Sequence, residues 1–199
     1  MFAALADAPF DWAKVHVFWV DERLVPPDHP QSNYGLARTA FLQPAGIPPQ
    51  NIHRVDGELE PEEAARAYAE EIRRVFQIKE GDFPRFDVIH CGMGADAHTA
   101  SLFPGGPLLD DRTNLCAPVW VEKLQSWRVT LLPGVLLAAR CVVLFAPGGD
   151  KADALHTVLT AAEDLKRYPV QLLTRRAPHL ALFTDSAGAA KIDPAAGAP

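Results

Sequence analysis

No apolar run in this chain of 199 residues approaches the length of about 20 that a helix needs to cross a bilayer. Met1–Asp7 lacks the basic region and long apolar stretch of a signal peptide, so neither membrane nor secretion is expected. Cysteine is scarce. Cys91, Cys116 and Cys141 form no C-x-x-C pair, and two of them sit in apolar runs that read as strands. That pattern fits buried, reduced thiols in a cytoplasmic protein. Basic charge is also short, with 19 Lys and Arg against 25 Asp and Glu and a formal net charge of −6. The cations are scattered, so no stripe exists to neutralise a run of phosphates, and nucleic acid is excluded as a partner. The seven histidines show no H-E-x-x-H or paired spacing, so no metal site is expected.

What remains is the balance of a globular protein, 48% hydrophobic and 22% charged. The length suits a single domain, 1–186, followed by an Ala-, Gly- and Pro-rich tail, 187–199, that is expected to fray. Val15–Val20 is a continuous β-branched and aromatic run that reads as a strand buried on both faces. Ser32 predicts an N-cap for a helix reaching Leu42. Pro61 opens a helix to Phe76, with Glu62 and Glu63 in its first turn and Arg73 and Arg74 near its end, as the dipole favours. Further strands are expected at Phe86–Cys91, Cys116–Val121, Trp127–Leu132, Cys141–Ala146, Val170–Leu173 and Leu180–Phe183, and a helix at about Lys151–Leu159. Strands alternating with helices predict an α/β fold with a mainly parallel sheet.

Ligands of such sheets bind beyond the carboxyl ends of the strands, and three polar clusters fall there. They are Asp21-Glu22-Arg23, Gly92 to His98, and Pro147-Gly-Gly-Asp-Lys151, with Arg128 a fourth candidate at the start of its own strand. His98 follows a glycine-rich turn able to turn backbone N–H groups towards a ligand, with Asp96 two residues before it. A neutral imidazole there can take a proton from water, or can merely hydrogen-bond its loop. Three consecutive charges ending a buried strand need partners, since unpaired sheltered charge is costly. Arg23 suits a carbonyl or polyol, and Asp21 suits sugar hydroxyls or a water. Lys151 stands where a Gly-Gly turn opens a helix, a place for an anion or simply a surface lysine. The loop is not a Walker A sequence, Ser101 is not in a G-x-S-x-G elbow, and Pro104-Gly-Gly-Pro107 cuts short the helix that a dinucleotide fingerprint at Gly92-x-Gly94 requires.

Taken together, these segments resemble a known family. Phe18-Trp-Val-Asp-Glu-Arg23 with Val25-Pro26 and Ser32-Asn33-Tyr34 is similar to a strand signature of the 6-phosphogluconolactonases. Gly92-Met-Gly-Ala-Asp-Ala-His-Thr-Ala-Ser-Leu-Phe-Pro-Gly105 resembles that family's central motif, and Arg128-Val-Thr130 and Gly148-Gly-Asp-Lys-Ala152 match two later signatures in order. The resemblance implies a three-layer α/β/α fold shared with glucosamine-6-phosphate deaminase, and cofactor-free hydrolysis of a sugar-phosphate lactone. It implies His98 as the base, Asp96 as support for its loop, Asp21 and Arg23 lining the site, and Arg128 and Lys151 on the phosphate. Gly92 and Gly94 are expected to contact substrate. A deaminase or isomerase on the same fold fits less well, because Thr-Ala-Ser-Leu-Phe-Pro follows His98 where the deaminases carry an Asn-Glu-containing sequence. A non-catalytic sugar-phosphate binder is the third reading.

Two departures stand out. Ala97 occupies a position where the family usually has Gly, and a positive φ there costs about 1 kcal/mol. The family also begins with a helix, a first strand and a Gly-Gly-Ser/Thr-x-Pro phosphate loop, and this sequence starts just after that loop. The first strand is therefore expected to be missing.

Overall fold

The structure is a computed structural model that describes residues 2–192. In chain order its strands are β1 (Val17–Phe18), β2 (Asp21–Arg23), β3 (Ile52–His53), β4 (Val88–Gly92), β5 (Cys116–Val121), β6 (Ser126–Leu131), β7 (Cys141–Phe145) and β8 (Leu180–Phe183). Its helices are α1 (Phe2–Ala6), α2 (Asn33–Ala37), α3 (Pro61–Phe76), α4 (Pro133–Ala138), α5 (Ala152–Thr160) and α6 (Gln171–Arg176). The chain divides into two compact units. One holds the residues up to Val75 together with Cys116–Thr130, and the other holds Phe76–Leu115 and the chain from Leu131 onward.

In the first unit β1 pairs in parallel with β3, and a second sheet has the order β2-β6-β5 with β2 antiparallel to β6. Helix α3 has the predicted bounds and buries Ala64, Ala65, Tyr68, Ala69 and Ile72, one stripe at helical spacing. The expected strand Val15–Val20 is broken, and the reason is specific. The Tyr68 hydroxyl accepts from the Trp19 N–H at 2.7 Å and donates to the Trp19 carbonyl at 2.7 Å, so a phenol, not a neighbouring strand, satisfies that residue. The ladder stops at Phe18, and Asp21–Arg23 becomes a strand of its own instead of the charged end of a longer one. Ser32 caps α2 as predicted, accepting from Gly35 N, and the helix runs on to Leu42 as a wider π turn over Arg38–Leu42.

The second unit carries a wholly parallel sheet of order β4-β7-β8. Its core includes Leu102, Val142, Leu144, Leu155 and Leu172, all at most 1% exposed. The expected strand Val170–Leu173 is instead the start of α6. A short apolar run does not distinguish a buried strand from a buried helix turn. Here Gln171, fully buried, decides it: its Nε2 donates to the carbonyls of Val158 and Ala162 at the end of α5 and its Oε1 accepts from Asp164 N. Part of the expected frayed tail is pinned. Ala189 N donates to Asp185 O, Ile192 N donates to Ala189 O, and His156 Nδ1 lies 2.8 Å from Lys191 O. Residues 193–199 of that tail lie outside the described residues. Among the described residues no helix is long and apolar enough to cross a membrane.

Candidate active site

The parallel sheet of the second unit places its polar loops at one end. In its register Gly92 stands beside Phe145 and Phe145 beside Phe183, so the three strands finish level. The His98 loop, the Gly148–Lys151 turn and Asp185 follow those ends in turn, the position where open parallel sheets bind ligands.

The His98 loop is tightly wound. Ala97 N donates to Gly94 O, and Gly94 N donates to His98 O at 3.0 Å. The Gly94 N–H expected to face a ligand is therefore used within the loop. Gly94 is required for another reason: a Cβ there would lie 2.1 Å from His98 Nδ1 and 2.7 Å from Asp96 Oδ1. The imidazole rests against bare backbone. Gly92 carries no such constraint, since an added Cβ would meet only Phe145 O at 4.0 Å. His98 Nδ1 is 2.5 Å from Asp96 Oδ1. An ionised carboxylate only accepts, so in the neutral ring Nδ1 carries the proton and Nε2 has the lone pair. The side chain is 26% exposed, and Phe103 packs beside the ring at a centroid distance of 4.4 Å. Ala97 has φ of +61° and Ala100 has φ of +52°, so the ring sits between two alanines in left-handed backbone.

Lys151 closes a 3₁₀ turn, Gly149–Lys151, that runs into α5. Its ammonium is 3.1 Å from Asp150 Oδ2. Gly148, at φ +101°, donates its N–H to Asp185 Oδ1 at 3.0 Å, and Gly188 N donates to the same oxygen at 2.7 Å. Those two bonds hold the Asp185 carboxyl below the usual aspartate range. Asp185 thus ties the end of β8 to the turn after β7, a link absent from the sequence reading although its place after a C-terminal strand could have suggested it.

In the first unit the charged cluster is built across two strands. The antiparallel register sets Arg23 opposite Arg128 and Asp21 opposite Thr130. Like charges directly opposed in a sheet repel. Asp21 Oδ2 offsets part of this at 3.4 Å from Arg128 Nη1, and Arg23 Nη1 donates to Gln31 O at 2.6 Å. Arg128 is 7% exposed, and burial draws its guanidinium below the ordinary value while Asp21 acts the other way. The Nε of Arg23 and the Nε of Arg128 are both buried without a hydrogen-bond partner. Two opposed guanidinium groups beside one carboxylate are suited to an anionic ligand. Among the described residues no group of three or more His, Cys, Asp or Glu side chains could hold a metal ion.

Residues 1–182 match the family of glucosamine-6-phosphate isomerases and 6-phosphogluconolactonase. The chain belongs to that family. The 6-phosphogluconolactonase of Synechocystis is 37% identical over 94% of this chain and 78% of its own length. The human 6-phosphogluconolactonase is 42% identical over 94% of this chain and 72% of its own length. Among solved structures, 6-phosphogluconolactonase from Trypanosoma cruzi superimposes with a TM-score of 0.82 at 27% identity, covering 96% of this chain and 79% of that one. The family assignment agrees with the α/β elements described above.

Proposed function

We propose that the protein hydrolyses 6-phospho-D-glucono-1,5-lactone to 6-phosphogluconate, a step of the pentose phosphate pathway. The observation that carries this reading is the His98–Asp96 pair, with the Nε2 lone pair uncommitted at the carboxyl end of a parallel sheet. His98 Nε2 takes a proton from water as the water oxygen attacks the lactone carbonyl. The tetrahedral intermediate then collapses, the ring C–O bond breaks, and the imidazolium returns its proton to the departing ring oxygen. A positioned base of this kind contributes about 10²–10⁴-fold. In the first unit Arg23 and Arg128 are assigned to negative charge on the substrate, which a cation stabilises, and Asp21 to sugar hydroxyls. In the second unit Lys151 is assigned to the phosphate, for which it exchanges its contact with Asp150. Gly94 serves by leaving room for the imidazole. No disulfide joins Cys91, Cys116 and Cys141, which supports the cytoplasm as the compartment.

The test is the rate of 6-phosphogluconate formation from freshly made lactone, with the spontaneous rate subtracted, run beside ammonia release from glucosamine 6-phosphate. The expected result is lactone hydrolysis well above background and no ammonia. Ammonia release without lactonase activity would replace this reading by a deaminase, and neither activity would leave a sugar-phosphate binder.

A further inference from the structure

Between Asp21 and Arg23 sits a residue to which the reaction above assigns no part. Glu22 is 2% exposed, and no basic side chain among the described residues pairs with it. Strand alternation turns it away from the face that carries its two neighbours. Its carboxylate is held mainly by backbone, with the Ser32 hydroxyl donating to Oε2 at 3.4 Å. Oε1 accepts from Arg23 N and from Asn33 N, each at 2.8 Å, and Oε2 accepts from Tyr34 N at 2.6 Å. Asn33 and Tyr34 open α2, so two of the N–H groups that a helix start leaves unsatisfied are met by a strand. Ser32 Oγ takes the next, from Gly35 N.

This linkage reaches the arginine. The segment that Glu22 holds also carries Gln31, whose carbonyl accepts from Arg23 Nη1 at 2.6 Å, and Asn33, whose Nδ2 donates to Asp21 O at 2.9 Å. Residues 31–34 therefore grip all three residues of β2, and Glu22 is the central fastening.

We infer that Glu22 is a positioning residue for the proposed lactonase reaction: by fixing residues 31–34 to β2 it sets the Gln31 carbonyl that aims the Arg23 guanidinium. The inference rests on the function proposed above. A carboxylate is needed because three N–H groups converge on it. Gln keeps one oxygen but turns an amide N–H₂ towards a backbone donor, and Asp is one methylene too short to span the same partners.

The test is a double-mutant cycle on kcat/KM, measured where circular dichroism shows each variant folded. Glu22→Gln is expected to lower kcat/KM by roughly 10–100-fold. In an Arg23→Ala background the same change is expected to cost under about threefold, because its effect passes through Arg23. Equal losses in both backgrounds, or an unchanged kcat/KM with only a lower Tm, would overturn the inference and leave Glu22 a structural residue. Asn33→Ala, which removes a single side-chain donor, serves if Glu22→Gln does not fold. It should give a smaller loss of about threefold that also vanishes without Arg23, and an unchanged rate would overturn the inference. The Arg23 Nε–H resonance separates this from the parent reading. It should be sharp in the wild type and broadened by Glu22→Gln even if the protein proves not to hydrolyse the lactone, and an unbroadened signal would refute positioning on its own.

Discussion

Two histidines in this protein are each paired with a carboxylate, and their surroundings give them opposite uses. His53 Nδ1 lies 2.6 Å from Glu71 Oε1, and its Nε2 lies 2.8 Å from His16 Nδ1. Its side chain is 3% exposed, stacked against the rings of Phe18 and His16 at 4.3 and 5.1 Å. Both ring nitrogens are committed. His98 has the same kind of partner in Asp96, two residues away, but its Nε2 makes no hydrogen bond among the described residues and the ring is partly open. A carboxylate partner fixes the tautomer of each. Only the one with a nitrogen to spare can move a proton to and from a substrate.

The comparison breaks if the two can be exchanged in effect. His98→Gln is expected to lower kcat by roughly 10²–10⁴-fold with little change in Tm, whereas His53→Gln should leave kcat within about threefold and cost about 1–3 kcal/mol of stability. Steady-state rates and thermal melts of the two variants check this, and a slow but stable His53 variant would contradict it.

Gly94→Ala sharpens the account of the imidazole's seat. Its Cβ would lie 2.1 Å from Nδ1, so the ring must leave Asp96 or the loop must shift. A kcat loss of about 10–100-fold is expected with an unchanged fold by circular dichroism.

The buried pair should instead show itself in stability against pH. Burial lowers the His53 value from the ordinary 6.5, outweighing Glu71, which acts to raise it. The unfolded chain then binds a proton that the folded one resists. The contribution of His53 is thus fully present above about pH 6.5 and falls as the pH drops below it. Glu71 is held at about 2, first by its bond to Arg74 and then, against burial, by His53. Its contribution is present above its ordinary value of 4.5 and is lost as the pH falls towards 2. With Glu71 31% exposed, solvent screens much of that second step. Burial lowers the value of His90 as well, so urea midpoints between pH 8 and 3 should fall below 6.5 in the wild type, and His53→Gln should shrink that step and leave the part due to His90.

Ala97→Gly carries the smallest effect. At φ +61° the alanine is strained, and glycine should raise stability by about 1 kcal/mol, less what it adds to the entropy of the unfolded chain. A lower Tm would show that the Cβ of this buried residue contributes more by packing than its backbone loses.

These cases show what the sequence could reveal. His98, Asp96 and the Gly94 turn lie within five residues, so a linear motif contains the whole geometry, and Ala97 stood out as the residue at odds with it. Helix α3 was legible to the residue because period, Pro at its start and charge order all agree. Other features depend on partners far along the chain. Trp19 ends a strand only because the hydroxyl of Tyr68, 49 residues on, takes both its backbone groups. Gln171 turns an apolar run into a helix by reaching the end of α5. The pairing of Arg23 with Arg128, 105 positions further on, appears only in the register of β2 and β6. Glu22 looked like one more charge in a cluster, since no local pattern shows which face of a three-residue strand is buried.

The central claim is that His98 Nε2 is the base, and chemical rescue addresses it most directly. His98→Gly removes the ring and leaves the Gly94 face open, so added imidazole can occupy the place of the lost side chain. Lactone hydrolysis by His98→Gly, corrected for the spontaneous and imidazole-catalysed background, should rise with imidazole concentration and saturate, while His53→Gln shows no such response. A His98→Gly variant that retains the wild-type rate without imidazole would contradict the account.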